Sequence, residues 1–178
     1  MTKDLKSNAL KVATAGLLIA IGVLIPLVSP LRLVLGPASY TLGSHIAIFV
    51  AMFISPGTAL AVTMGTTVGF FLGGFPIIIV WRAASHIIFV ALGLIYLSKI
   101  DKRALRGLRL RVFSLWIGIV HGLSEAAFVL LFFMGQFPAG QGPLWILAFI
   151  GAGSLLHSLI DFEAANIVRN VLYKAKLL

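Results

Sequence analysis

The chain has no cysteine and few charged residues. Without cysteine among its 178 residues, disulfides and thiolate chemistry are excluded. Charged residues make up 11% of the chain and hydrophobic residues 60%, whereas a soluble domain carries roughly 25% charged residues. A soluble protein of this length cannot bury so much apolar surface, because small domains leave a large fraction of their chain exposed. The composition therefore indicates an integral membrane protein, for which lipid is the apolar solvent.

Catalytic motifs are also missing. The sequence has no phosphate-binding loop, no H-E-x-x-H and no G-x-S-x-G. We therefore predict that the chain is not an enzyme, has no cofactor or metal site and does not use ATP itself. The net charge of +9 lies in short blocks between apolar runs, without an aromatic-rich basic face, so no nucleic-acid partner is expected.

Six apolar runs predict an all-α membrane protein, a bundle of six transmembrane helices in one domain of residues 1–178. Because about 20 apolar residues span a bilayer, the second and third helices are short and are expected to tilt, break or only partly cross. Pro26 and Pro30 are expected to bound the first helix. The predicted helices are Asn8–Val28, His45–Ile54, Thr58–Leu72, Pro76–Leu97, Val112–Met134 and Leu144–Ala165, with a charged loop Lys99–Arg111 and a basic amphipathic tail.

The lysines and arginines predict the orientation. Six helices place both termini on one side of the membrane, and that side collects every lysine and arginine except Arg32 and the intramembrane Arg82. The positive-inside rule then places the N- and C-termini in the cytoplasm of a multi-pass protein of the bacterial plasma membrane.

Ionisable residues inside the predicted helices mark the candidate site, since such groups are costly in lipid. Arg82 and His86 share one face of the fourth helix at i, i+4 spacing, and His121 and Glu125 share one face of the fifth. Antiparallel neighbours of this kind bring Arg82, His86 and Glu125 together in the outer half of the membrane. An arginine there suits a carboxylate ligand, because its planar fork binds carboxylates bidentately. The alternative is a structural ion pair between Arg82 and Glu125.

Residues outside these two helices extend the prediction. His45, at the outer start of the second helix, either reaches the pocket or lies at the membrane interface. The Ser29–Ser44 loop is long enough to fold over a pocket as a lid. His157 and Asp161 share a face of the sixth helix, and Asp161 is predicted to lie toward the cytoplasm in a structural or partner-contact role.

Small residues at helical spacing predict close helix approach. On the first helix they are Ala9, Ala13, Gly16 and Ala20, which favour an external partner because the stripe begins at the cytoplasmic end. The third helix contains Gly65-x-x-x-Gly69-x-x-x-Gly73, for which we expect packing within the chain.

These features resemble one transporter family. The stretches GPASYTLGSHIAIFVAMFISP (Gly36–Pro56) and GFFLGGFPIIIVWRAASH (Gly69–His86) are similar to the pantothenate or niacin branch of the S components of energy-coupling factor (ECF) vitamin transporters. The resemblance implies capture of a vitamin from outside and delivery with a membrane scaffold subunit and two ATPases. It also implies docking of the scaffold on Ala9 and Ala13. Ligand residues are implied in the first outer loop and in later helices, at positions matching Tyr40, Arg82, His86, His121 and Glu125.

Several functions fit these residues. Pantothenate is the first choice of vitamin and niacin the alternative, since both are carboxylates that suit Arg82. A stand-alone secondary transporter with Glu125 and the histidines as a proton relay is a second possibility. An intramembrane enzyme or a structural scaffold is a third.

Overall fold

The computed structural model describes residues 2–35 and 38–175, with side chains from residue 9 onward except that of residue 35. Gly36 and Pro37 lie outside the described residues, as do Met1 and the last three residues, and the side chains of Lys3 and Lys6. The elements in chain order are α1 (Thr2–Val28), β1 (Arg32–Leu35), β2 (Ala38–Thr41), α2 (Ile46–Ile54), α3 (Pro56–Leu72), α4 (Ile77–Leu97), α5 (Gly107–Phe133) and α6 (Pro143–Lys174).

The helical architecture agrees with the prediction in the number of helices, whereas the prediction that all six cross the membrane is not confirmed. Within the described residues, four helices are long and apolar enough to cross a membrane, namely Ala9–Val28 of α1, α4, α5 and α6. The third helix is shorter, and α2 has only nine residues. Seven of those nine are buried, which is why α2 is apolar on every side. The short helix is therefore a central core element surrounded by its longer neighbours.

The all-α prediction is wrong in the first long loop. Strands β1 and β2 form an antiparallel hairpin there, in which Arg32 pairs with Thr41 and Leu33 with Tyr40. The pairing satisfies backbone N–H and C=O groups of a segment that packs against the bundle and cannot leave them unpaired. This hairpin is the part of the loop that reaches the candidate site.

Several predicted helix ends are also wrong. The first helix begins earlier than predicted, at Thr2, whereas its predicted end at Val28 is confirmed. Pro26 lies inside α1, whose backbone hydrogen bonds continue to the one that Ser29 N–H donates to Ile25 C=O at 2.9 Å. A proline removes only its own N–H donor, and the residues after it can still donate. At the start of α5, Leu110 and Phe113 are buried, so packing extends the helix back to Gly107 through part of the predicted charged loop.

The sixth helix is longer than predicted and contains an irregular segment. It continues past Ala165 to Lys174, because Phe162, Ala165 and Arg169 recur on a buried face at helical spacing. Residues Ile146–Ala152 have π-helical hydrogen bonding, which is rare and frequently lies at functional sites.

Glycines on α3 and α5 set the distances between helices. A Cβ added at Gly65 would stand 2.5 Å from Ile19 Cδ1, and Gly69 meets Val23 in the same way, so α3 packs closely on α1. The prediction of internal packing for this motif is confirmed at these two glycines. At Gly122 an added Cβ would collide with the backbone carbonyl of Gly151 in the π-helical segment. Backbone contact between α5 and α6 thus fixes how their polar faces meet.

Candidate functional site

The predicted site residues come together in one buried polar cluster. Arg82 and His86 project from α4, and His121 and Glu125 project from α5. His45 immediately precedes α2 and points into the same cluster. All five are buried, with between 0% and 6% of each residue exposed. His157, on α6, joins this group, which therefore contains every histidine of the chain. His45 therefore reaches the pocket, and its interfacial alternative is wrong.

Glu125 lies at the centre of this cluster. Its Oε2 atom accepts hydrogen bonds from Arg82 Nη2 at 2.7 Å and Nε at 3.2 Å, and from the Ser154 hydroxyl. Its Oε1 atom lies 3.1 Å from His86 Nε2 and 3.5 Å from His121 Nε2. The carboxylate therefore divides the cluster into an arginine side and a histidine side.

Asp161 lies within the same site, and the prediction that placed it toward the cytoplasm is wrong. Its Oδ1 atom accepts the Gly43 N–H at 2.7 Å, and its Oδ2 atom accepts the His45 N–H at 2.9 Å. Oδ2 also lies 3.1 Å from both His45 Nδ1 and His157 Nε2. Asp161 thus holds the chain entering α2 against α6, with its charge at the positive end of α2.

The hairpin covers one side of the cluster. Ser39 C=O lies 3.4 Å from Arg82 Nη1, and Thr41 C=O lies 2.9 Å from His157 Nε2. The Tyr40 ring lies 5.4 Å from the Arg82 guanidinium carbon, and its hydroxyl donates to the Phe149 carbonyl in the π-helical segment. These contacts agree with the prediction that the loop folds over the pocket.

Tyr40 is suited to a fixed donor role. Burial raises the pKa of its hydroxyl above the ordinary value, and the positive charge of Arg82 opposes only part of that shift. The hydroxyl therefore keeps its proton and its hydrogen bond to Phe149. This bond ties the hairpin to α6 beside the site.

A cavity of about 40 Å³ lies between the hairpin, α1, α3 and α4. Its walls combine the polar cluster with apolar side chains and two residues that sequence reasoning missed as candidates, Thr66 and the hairpin's Ser39. Ser154 was also missed, although it stands three residues before His157 and so shares its helix face. The aromatic Phe75 also lines the cavity, and its ring stacks on that of Phe70 with the ring centroids 4.7 Å apart.

The predicted docking stripe lies away from this site. Ala9, Ala13, Gly16 and Ala20 are all exposed, and a Cβ added at Gly16 would meet no atom within 4 Å. The contacts of α1 with α3 instead use Ile19 and Val23. The stripe is therefore an outward surface of the described chain.

Comparison with known proteins identifies one relative of known function. The niacin transporter NiaX of Lactococcus lactis subsp. cremoris (strain MG1363) is 36% identical over 178 residues, covering 98% of this chain and 80% of the relative. No protein-family model and no solved structure matches the chain.

The match covers nearly the whole chain, so the hairpin, the helices and the polar cluster all lie within the matched region. It agrees with the multi-pass helical architecture and with the features Gly36–Pro56 and Gly69–His86 that carried the resemblance. This protein of the cell membrane therefore belongs to the S components of ECF vitamin transporters, the family that includes NiaX.

Proposed function

We propose that the chain is a niacin-specific S component, which binds niacin outside the cell and delivers it inward. The observation that carries the proposal is the chain-long identity to a niacin transporter. The comparison favours niacin over pantothenate, which was the first choice from the sequence. Niacin is a compact ring with one carboxylate and one ring nitrogen, whereas pantothenate is an extended chain with hydroxyl and amide groups.

The polar cluster offers complementary groups for such a ligand. Arg82 supplies a guanidinium for the carboxylate, and the hydroxyl of Thr41, which lines the same cavity, can donate to a ring nitrogen. Two donors of Arg82 engage Glu125 at 2.7 and 3.2 Å, whereas its contact with Ser39 C=O is long at 3.4 Å. We therefore expect the ligand carboxylate to enter on the Ser39 side of Arg82. Glu125 would hold and orient the guanidinium from the other side.

Binding requires the hairpin to move. The cavity of about 40 Å³ has room for a few water molecules, which need about 10–15 Å³ each on this measure. Small-molecule pockets typically measure about 300–1,000 Å³. Displacing the hairpin at Ser39 and Thr41 both enlarges the cavity and opens the Arg82 donors. The hairpin thus acts as the lid on the site.

Delivery requires partners, because the chain has no nucleotide-binding motif. The proposed partners are a membrane scaffold subunit and two ATPase subunits. Exposure of Ala9, Ala13, Gly16 and Ala20 supports docking of the scaffold on α1, since small residues let a partner helix approach closely. The proposal includes cytoplasmic termini and no catalytic activity of the chain itself.

Calorimetry on the purified protein tests the ligand. We expect nicotinate to bind and nicotinamide to bind much more weakly, because the amide cannot form the charged pair with Arg82. Tight binding of pantothenate without binding of nicotinate would refute the proposal. Uptake of nicotinate in cells should also require the co-expressed scaffold and ATPases, and uptake without them would instead favour a proton-coupled secondary transporter.

A further inference from the structure

The histidine side of the cluster has the arrangement of a metal centre. We infer that His45, His86, His121 and Glu125 bind one divalent transition-metal ion of the zinc class. This inference concerns an ion, is separate from the vitamin proposed above, and departs from the sequence prediction of no metal site. It is carried by the distances between the four side chains and by the hydrogen bonds around them.

The separations of the donor atoms match a tetrahedral site. His45 Nε2 lies 3.4 Å from His86 Nε2, His86 Nε2 lies 3.1 Å from Glu125 Oε1, and His121 Nε2 lies 3.5 Å from that oxygen. Zinc bonds of about 2.0–2.1 Å to nitrogen or oxygen give tetrahedral edges of roughly 3.3–3.4 Å. The four donor atoms all lie within 4.8 Å of one another, so one ion can lie between them.

The hydrogen bonds of His45 prepare its Nε2 atom for a metal. Its Nδ1 lies 3.1 Å from Asp161 Oδ2, an acceptor that places the ring proton on Nδ1 and leaves the lone pair on Nε2. Metal-binding histidines almost always donate their second N–H to a carboxylate, a carbonyl or a water in this way. Asp161 is itself fixed by the Gly43 and His45 N–H groups. It therefore orients a ligand rather than serving as one.

His121 supplies a second, independent observation. It is fully buried, and within the part of the chain that the structure describes its Nε2 has only a long contact of 3.5 Å with Glu125 Oε1 and meets no hydrogen-bond criterion. Buried polar groups are normally satisfied, and each exception needs an explanation. A metal ion between the rings of His45, His86 and His121 accepts the lone pair of His121 Nε2 and explains why that nitrogen has no closer partner.

Charge and ligand type favour a zinc-class ion. Three imidazoles and one carboxylate oxygen suit zinc, copper, iron or nickel, whereas magnesium and calcium prefer oxygen ligands. Glu125 offers Oε1 to the ion while its Oε2 remains paired with Arg82 at 2.7 Å. The carboxylate thus lies between the guanidinium and the ion and screens their repulsion.

His157 is not a ligand of this ion. Its Nε2 is engaged by Thr41 C=O at 2.9 Å and by Asp161 at 3.1 Å. It contacts Asp161, which orients His45, so the control for a change at His121 is instead Arg169, a buried residue 2% exposed that lies outside the cluster.

The test uses the full chain purified in detergent and treated with a chelator. Zinc alone is added, excess ion is removed, and bound metal is counted by mass spectrometry. We expect about one zinc per chain in the wild type and in Arg169→Ala, no stoichiometric zinc in His121→Asn, and no comparable binding of magnesium. Retention of zinc by His121→Asn, equal binding of magnesium, or no stoichiometric zinc in the wild type would overturn the inference.

A spectroscopic measurement on the wild type remains decisive if His121→Asn does not fold. Cobalt(II) added to the chelated protein should give the intense visible absorption of a tetrahedral site with nitrogen and oxygen ligands. Weak absorption of the octahedral type would overturn the assigned geometry. Nicotinate binding is measured separately in chelated and zinc-loaded protein, so failure of the metal inference and failure of the vitamin proposal are distinguishable.

Discussion

Replacing Arg82 separates a ligand-binding arginine from one that only pairs with Glu125. In a dehydrated site, a hydrogen bond to a charged group contributes ~1.5–3 kcal/mol. About 1.4 kcal/mol corresponds to one decade in affinity, so Arg82→Ala should weaken nicotinate binding at least tenfold. Arg82→Lys should recover only part of the loss, because lysine cannot form the bidentate fork.

The same change also affects stability, because Arg82 and Glu125 are 4% and 3% exposed and paired at 2.7 Å. Removing one partner of a buried pair typically costs about 3–5 kcal/mol, whereas replacing both with neutral residues of similar volume is often neutral. The double change Arg82→Met with Glu125→Gln should therefore restore stability without restoring nicotinate binding.

Calorimetry beside a thermal melt measures both effects on each variant. Arg169→Ala is a matched control, since Arg169 is also a buried arginine, 2% exposed, and packs on Phe53 rather than in the cavity. It should lower the melting temperature and leave nicotinate affinity unchanged. If the Arg82 and Glu125 double variant binds nicotinate normally, Arg82 serves only to join two helices and its ligand role is refuted.

Three further predictions concern topology, docking and the anchor of α2. Because the chain lacks cysteine, single cysteines introduced at the exposed positions Ala104 and Ala139 can be labelled in intact cells. A reagent that does not cross the membrane should label only position 139, and labelling of position 104 alone would contradict cytoplasmic termini. Ala9→Leu with Ala13→Leu should abolish co-purification of the scaffold and vitamin uptake while nicotinate binding is retained, and lost binding with intact assembly would show that the stripe is not a docking surface. Asp161→Asn should lower the melting temperature, since the neutral amide weakens charge-assisted bonds worth ~1.5–3 kcal/mol each, and an unchanged melt would contradict its anchoring role.

Local spacing was sufficient to predict the pairs that form the site. Arg82 with His86, and His121 with Glu125, follow from the helical period, which puts residues four apart on one face. That the two pairs meet follows from α4 and α5 being antiparallel neighbours. The membrane location followed from composition, because so apolar a chain needs lipid as solvent.

The position of Asp161 shows where such reasoning fails. Its depth was judged from a predicted helix end at Ala165, but α6 continues for nine more residues to Lys174. At about 1.5 Å per residue the reference end moves by roughly 14 Å. Helix ends depend on packing of the last turns, here of Arg169 against the core, and periodicity alone does not report that packing.

The amino-acid sequence by itself thus determined that the protein lies in lipid, where its helices are, and which faces of those helices carry polar groups. Only the tertiary structure decided which faces share one site. His45 and Asp161 are 116 positions apart and meet where the start of α2 packs against α6. Gly122 lets the α5 backbone touch the π-helical segment of α6, and the register between these two helices brings Ser154 to Glu125. That register is a property of side-chain volumes at the contacts, and those volumes act only when the helices are packed together.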